Sequence, residues 1–455
     1  MNDNTIAAIS TAQGEGGIGV IRISGKQAID IADKVFVSVN NKKLDDLKGY
    51  SAAFGHIVKD EETIDECVAT VFREPKSYTG ENVVELSCHG GLFITREVLR
   101  IVLDAGATPA QAGEFTKRAF LNGKMDLTEA EAVADIISAR SKTAARAALR
   151  AKEGALWNRI EAVKNKLVTT AAHLSAWADY PEEDIEEVTT DSLSETFTEV
   201  KADLDYLLDT YDKGQIVKEG LDTVIAGKPN AGKSTLMNLL SGHDRSIVTE
   251  IPGTTRDVIE ENVVVGDIIL RLSDTAGIRE TEDTVEKIGV DLAKQRLKNC
   301  GLVLAVFDSS EELDQNDLDL IEAVKDTDAI AVINKEDLQQ IIDEDFIKSR
   351  INRVVKISAK TGEGYEQLER MITEIAGTEN FNPSEGILAN ERQRQAAVNA
   401  LNSLNEAVKA LDMGMTFDAV GVALEDTIAY ILELTGERVS EVVVDNVFHN
   451  FCVGK

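Results

Sequence analysis

Cysteine, proline and positive charge are all in short supply in this chain. Its four cysteines, Cys67, Cys88, Cys300 and Cys452, are scattered and form no CxxC. That pattern excludes a disulfide framework and a cysteine-based zinc site, and reads as free thiols in a reducing compartment. Six prolines in 455 residues exclude collagen-like and Pro-rich classes. Long apolar runs are missing too. The longest dense one, Leu302–Phe307, falls far short of the roughly 18–20 residues that span a bilayer. Met1–Thr5 has neither a basic n-region nor an apolar h-region. A soluble cytoplasmic protein with no membrane partner is expected. Lys plus Arg number 48 against 80 Asp plus Glu, a formal charge of −32. Coating phosphate backbones needs cations that displace counterions, so this composition argues against a non-specific nucleic-acid coat and leaves room only for a local basic face.

What is present has the composition of a globular protein: 43% hydrophobic and 28% charged residues, over a length that suggests about three domains. No proline falls between Pro109 and Pro181 or after Pro383, and both stretches read as helix. Leu149, Leu156, Ile160, Val163, Leu167, Leu174 and Trp177 form one helical stripe, and Val398, Leu401, Leu404, Val408 and Leu411 form another. Two such helices can share a bundle. Between them, apolar runs at Thr223–Ala226, Ile268–Leu272, Leu302–Phe307, Ala329–Ile333 and Val354–Ile357 are each followed by a polar or Gly-containing loop. That predicts a parallel sheet with crossover helices. Near the start, Ile18–Ser24 alternates like a strand and Lys26–Phe36 looks helical. The expected fold is multidomain, α/β and α: an α+β domain over 1–120, a helical domain in two segments, 121–215 and 381–455, and an inserted α/β domain over 216–380.

The run Thr223–Ala226 leads into Gly227-Lys228-Pro229-Asn230-Ala231-Gly232-Lys233-Ser234, with Thr235 and the apolar Leu236–Leu240 behind it. This is GxxxxGK[ST] between a strand and a helix, a P-loop. Glycines let backbone N–H groups approach phosphates, Lys233 reaches the β/γ-phosphates, and the Ser234 hydroxyl can ligate Mg²⁺. Thr254 and Thr255 follow about twenty residues on, where a switch threonine would complete the Mg²⁺ shell. Asp274-Thr275-Ala276-Gly277 ends the next strand, Asn334-Lys335-Glu336-Asp337 follows another, and Ser358-Ala359-Lys360 follows the last. The NKxD run resembles the guanine-reading motif of GTPases, with the Asp337 carboxylate accepting from the guanine N1–H and 2-amino group. GTP is the expected substrate and the inserted domain a Ras-like G domain. Ile278 stands where small GTPases carry a water-orienting glutamine, so another group must hold the water or hydrolysis is slow.

These motifs combine with Gly14–Gly25 (GEGGIGVIRISG), Gly113–Asp126 (GEFTKRAFLNGKMD) and the ending Phe451-Cys452-Val453-Gly454-Lys455. The whole chain then resembles the MnmE (TrmE) family of tRNA uridine-modification GTPases. Gly14–Gly19 formally satisfies GxGxxG, but a strand follows where a dinucleotide site needs a helix. The resemblance implies instead an N-terminal folate-binding and dimerisation domain, with Arg22, Glu85, Lys124 and Lys455 at the positions of the family's folate contacts. It implies a K⁺ ion held by Asn230, Thr249, Ile251 and Thr254 in the extended loop Thr249-Glu250-Ile251-Pro252-Gly253-Thr254, and Glu286 orienting the attacking water. Cys452 is either a nucleophile or acid–base group beside the folate, or a buried, inert cysteine. His89 is expected in a structural or substrate-positioning role. The implied activity is a potassium-activated GTPase. With an MnmG-type flavoprotein, it places an aminomethyl or carboxymethylaminomethyl group on C5 of the wobble uridine of certain tRNAs, from a tetrahydrofolate one-carbon derivative. FAD and NADH act through the partner, and the chain forms a homodimer within a heterotetramer or larger assembly.

Between Arg140 and Lys166 the charge reverses. Arg140, Lys142, Arg146, Arg150, Lys152, Arg159, Lys164 and Lys166 face only Glu153 and Glu161, a net of +6. This is either an RNA stripe or a solvated helix face. A regulatory GTPase of the ribosome-assembly type remains the competing reading; it predicts no folate site.

Overall fold

The computed structural model describes residues 4–179, 188–243, 260–274, 297, 300–378, 381–382, 384–449 and 451–455. The chain separates into two compact units. One comprises 1–137, 151–204 and 395–455, the other 138–150 and 205–394.

The first unit is built on a seven-stranded sheet. Its strands are β1 (Ile6–Ile9), β2 (Gly19–Ser24), β3 (Phe36–Ser38), β4 (Ser51–Lys59), β5 (Glu62–Phe72), β6 (Val83–Cys88) and β7 (Thr108–Pro109), in the order β3-β4-β5-β6-β2-β1-β7. All neighbours run antiparallel except β1 and β7. The alternation of Gly-Val-Ile-Arg-Ile-Ser decides what each face carries. Ile21 and Ile23 join Val84, Leu86, Ala69 and Val71 in a core covered by helices Ala28–Val35 and Leu92–Asp104. Val20, Arg22 and Ser24 fall on the other face. The glycine-rich stretch before Gly19 does lead into a strand, so the dinucleotide reading is excluded on topology as well.

The rest of this unit is helical. The expected stripe is buried at Leu156, Ile160, Val163, Leu167 and Leu174, along helix Ala155–Asp179. Leu149 does not belong to it. Gly154, at φ +85°, separates helix Lys142–Lys152 from the longer one, and Leu149 is exposed. Helix Ala155–Asp179 packs on helix Phe417–Thr435, where Trp177 and Phe417 meet edge to face at 5.2 Å. In helix Glu391–Asp412 the buried apolar positions are Ala396, Ala397, Ala400, Leu404, Ala407 and Leu411. Small alanines carry more of that seam than the larger side chains of the expected pattern.

The second unit holds a six-stranded sheet of β8 (Leu221–Ala226), β9 (Glu260–Val265), β10 (Ile268–Asp274), β11 (Leu302–Asp308), β12 (Ala329–Asn334) and β13 (Arg353–Lys356), ordered β13-β12-β11-β8-β10-β9. The five strands read from the sequence are all present and run parallel. The sixth, β9, pairs antiparallel with β10 at the edge. Both faces are buried, as near-continuous apolar strands require. Among the described residues, no helix is long and apolar enough to cross a membrane.

Candidate functional site

In an open parallel sheet, ligands sit beyond the carboxyl ends of the strands. Here β8 ends in the loop Gly227–Gly232, β12 ends in Asn334-Lys335-Glu336-Asp337, and β13 runs on to Ser358-Ala359-Lys360. The loop after β8 turns through two left-handed residues, Asn230 at φ +63° and Gly232 at φ +97°. Asparagine tolerates that region and glycine favours it. At Gly232 a side chain is also excluded sterically, because a Cβ would fall 2.1 Å from Asn334 Nδ2.

Helix Lys233–His243 begins directly after this turn, and the N-terminus of a helix suits an anion. Lys233 Nζ donates to the carbonyls of Gly227 (2.8 Å) and Lys228 (2.9 Å). Asn230, Ser234 and Thr235 are exposed, while Ala231 is fully buried.

The loops after β12 and β13 are joined to the loop after β8 by one buried amide. Asn334 Nδ2 donates to the Ala231 carbonyl at 3.0 Å, and its Oδ1 accepts from the Ala359 N–H at 2.9 Å. The Ser358 hydroxyl donates to Asp337 Oδ1 at 2.7 Å and holds that carboxyl below its ordinary value. Lys335 pairs with the buried Asp308, and its carbonyl accepts from Ser309 Oγ at 2.9 Å. Burial works against the Asp308 charge, but hydrogen bonds from Lys335 and Ser310 prevail and lower its pKa. Asp308 went unnoticed in the sequence because nothing in its spacing links it to Lys335. Asp274 closes β10. Thr249, Glu250, Ile251, Pro252, Gly253, Thr254, Thr255, Thr275, Ala276, Gly277, Ile278 and Glu286 lie outside the described residues.

A second cluster occupies the face of the first sheet opposite helices Ala28–Val35 and Leu92–Asp104. Arg22 and Glu85 are cross-strand partners of β2 and β6, so the pleat puts both on one face. The guanidinium bonds Glu85 Oε1 through Nε at 2.9 Å and Nη2 at 2.8 Å. It lies over the Tyr78 and Phe115 rings, 5.4 and 5.6 Å from their centres. The chain's ending docks here. Gly113 N donates to the Cys452 carbonyl at 3.4 Å, and Val453 bridges Ala112. The Gly454 carbonyl accepts from Ser10 Oγ (3.0 Å) and Arg22 Nη1 (3.4 Å). Burial lowers the Lys455 pKa, and nearby Arg22 pushes the same way against the pull of Glu85. Thus Arg22, Glu85 and Lys455 come together. Lys124 is exposed and donates to the Pro75 carbonyl at 3.0 Å. Cys452 is exposed rather than buried. His89 is hydrogen-bonded to Asp65 through its backbone N–H (2.8 Å) and Nδ1 (2.6 Å), which raises its pKa.

Residues 5–124 match the family model described as the GTP-binding protein TrmE N-terminus, and residues 127–452 match the MnmE helical domain. The chain belongs to the MnmE family. Two full-length relatives bear this out, both named tRNA modification GTPase MnmE. The one from Clostridioides difficile (strain 630) is 44% identical over 100% of this chain and 99% of its own. The one from Alkaliphilus oremlandii (strain OhILAs) is 42% identical over the same shares. The solved G domain of the T. maritima FeoB iron transporter is 28% identical, covering 34% of this chain and 98% of that one, with a TM-score of 0.27.

The basic run of this MnmE-family chain is less free than its sequence suggests. Arg159 pairs with Asp203 (3.2 Å), Lys164 with Glu437 (2.9 Å) and Lys166 with Glu199 (2.8 Å). Packing brings in carboxylates that a local charge count cannot see. Arg140, Lys142, Arg146 and Arg150 remain exposed.

Proposed function

We propose that this chain hydrolyses GTP at the P-loop and couples that cycle to modification of C5 of the wobble uridine in tRNA. The observation that carries the reading is the Asn334 amide, which joins the phosphate loop to the loop that would read guanine. Lys233 would turn part of its hydrogen bonding toward β/γ-phosphate oxygens, and Asp337, held ionised by Ser358, would accept from the guanine edge. The donor set fits Mg²⁺ at the Ser234 hydroxyl, with Thr255 as its second ligand. K⁺ would take the Asn230 side-chain oxygen with carbonyls of Thr249, Ile251 and Thr254, and would neutralise charge developing between the phosphates. Glu286 would orient the water. We assign the G domain to 216–380, the helical domain to 121–215 and 381–455, and the head to 1–120.

In that head, Arg22 and Lys455 offer cations for the glutamate tail of a tetrahydrofolate one-carbon derivative, and Glu85 a carboxylate for its pterin ring. Lys124 and the exposed Cys452 thiol complete the set. An exposed apolar row on the same sheet supports a homodimer: Val39, just past β3, bonds the Phe54 carbonyl of β4, and Phe54 pairs with Val68 of β5. The uridine chemistry would be shared with an MnmG-type flavoprotein carrying FAD and using NADH, in the cytoplasm.

Two assays test the reading. GTP turnover should be faster in K⁺ than in Na⁺, and Asn230→Ala should remove the difference while guanine-nucleotide binding persists. Equal rates in the two salts would defeat potassium activation. Titration with a reduced folate separates this reading from a ribosome-assembly switch, which has no folate site.

A further inference from the structure

Lys228, the second residue of the P-loop, contributes its carbonyl to Lys233, as described above, but its own side chain is engaged elsewhere. Its side chain is only 7% exposed, and its ammonium lies 2.9 Å from Glu311, 3.1 Å from Asp317 and 3.6 Å from Asp314. Exposed ion pairs contribute little, but here the cation is withdrawn from water and Asp317 is 2% exposed. Asp317 Oδ2 also accepts from the Asp314 N–H at 3.1 Å, and its Oδ1 has no hydrogen-bond partner among the described residues. Asp314 in turn accepts from the N–H groups of Asn316 and Asp317. The two carboxylates form the reciprocal capping box that starts helix Gln315–Val324. One P-loop side chain is therefore anchored in the first turn of a helix 89 residues further along the chain. Burial alone would lower the Lys228 pKa, but the hydrogen bonds to Glu311 and Asp317 outweigh it and raise the value.

The other end of the loop is held as well, by Asn334 on the Ala231 carbonyl. When phosphates arrive, the Lys233 ammonium, which has three donors, must turn part of its hydrogen bonding from the Gly227 and Lys228 carbonyls toward the phosphate oxygens. A glycine-containing loop whose internal bonds weaken gains conformational freedom, and that freedom has to be removed again for tight binding. Fixing the loop in advance reduces this cost.

We propose that Lys228 is a positioning residue for the nucleotide: clamped by Asp314, Asp317 and Glu311, it fixes the entry side of the P-loop while Lys233 turns toward the phosphates. The proposal rests on the GTPase reading above. The clamp makes no contact specific to a γ-phosphate, so its loss should weaken GDP and GTP alike. It should raise KM more than it lowers kcat, the signature of lost uniform binding.

The test uses the full-length chain, a fluorescent GDP analogue, and steady-state GTP turnover. Lys228→Met leaves a buried carboxylate without its cation and is prone to misfold. Lys228→Met with Asp317→Asn removes that charge and serves as the decisive variant once its thermal unfolding matches wild type. We expect both Kd and KM to rise roughly tenfold, a change of about 1.4 kcal/mol, with a smaller change in kcat and recovery in Lys228→Arg. A folded double variant that binds GDP as tightly as wild type would overturn the proposal, as would a loss confined to kcat. Failure of the wild-type chain to bind GDP would instead overturn the GTPase reading itself.

Discussion

Asn334 donates its side-chain Nδ2 to the Ala231 carbonyl at 3.0 Å, and that bond fastens the strand-end loop of β12 to the turn of the P-loop. The amide is 2% exposed, so Asn334→Ala leaves both the Ala231 carbonyl and the Ala359 N–H without their partner. An unpaired buried polar group costs about 1–3 kcal/mol. Thermal unfolding should fall accordingly, and guanine-nucleotide affinity should drop at least tenfold by calorimetry. Unchanged affinity would mean the two loops are positioned independently.

Asp337→Asn should change which base is bound. A carboxylate accepts from the N1–H and 2-amino group of guanine, whereas an amide presents a donor that suits the 2-oxo group of xanthine. Competition binding should show GDP weakened by about 10²-fold or more, since unpaired polar groups discriminate strongly, with XDP gaining. Ser358→Ala should weaken GDP less, because it removes only the group that orients Asp337.

The docked ending depends on Gly454. Its φ is +98°, and a Cβ there would fall 2.3 Å from the Ile9 carbonyl oxygen. Gly454→Ala should therefore lift the tail from the Arg22 face and weaken reduced-folate binding, with GTP turnover at wild-type level. Deletion of Cys452–Lys455 should behave the same way and abolish tRNA modification. A truncated chain that still modifies tRNA would reduce the tail to a structural strap.

Lys455 gives a pH dependence with a definite sign. Its pKa is lowered in the folded chain by burial and by Arg22, so between the folded value and 10.5 the unfolded chain holds more protons. Stability should therefore rise with pH through that window. An anionic ligand beside Lys455 would restore the charge, so its binding should take up protons and weaken as pH rises. Calorimetry in buffers of different ionisation enthalpy measures the uptake; none at alkaline pH would place the anion elsewhere.

The sequence carried the architecture wherever burial leaves a periodic trace. Five apolar runs became the parallel strands, and Ile18–Ser24 became β2. The edge strand Glu260–Val265 was missed because it opens on Glu-Glu-Asn and needs no second buried face. Leu149 was miscounted because a stripe does not reveal that Gly154 ends one helix and lets another begin. Arg22 and Glu85 came from resemblance alone, and their physical cause is strand register across 63 residues. The Lys228 clamp and the Lys335–Asp308 pair left no signal, since a charged residue looks the same on a solvated face. The net charge of the basic run is smaller than a local count gives for the converse reason: Asp203, Glu199 and Glu437 reach it only through packing.

Mass analysis of tRNA nucleosides tests the central claim most directly. The reconstitution contains this chain, its flavoprotein partner, a reduced-folate one-carbon donor, GTP and unmodified tRNA. Wild-type chain should yield uridine carrying an aminomethyl-type group on C5 at the wobble position, and Lys233→Ala should yield none. Modified uridine at the same level with Lys233→Ala, or with GTP omitted, would contradict the coupling of GTP hydrolysis to tRNA modification.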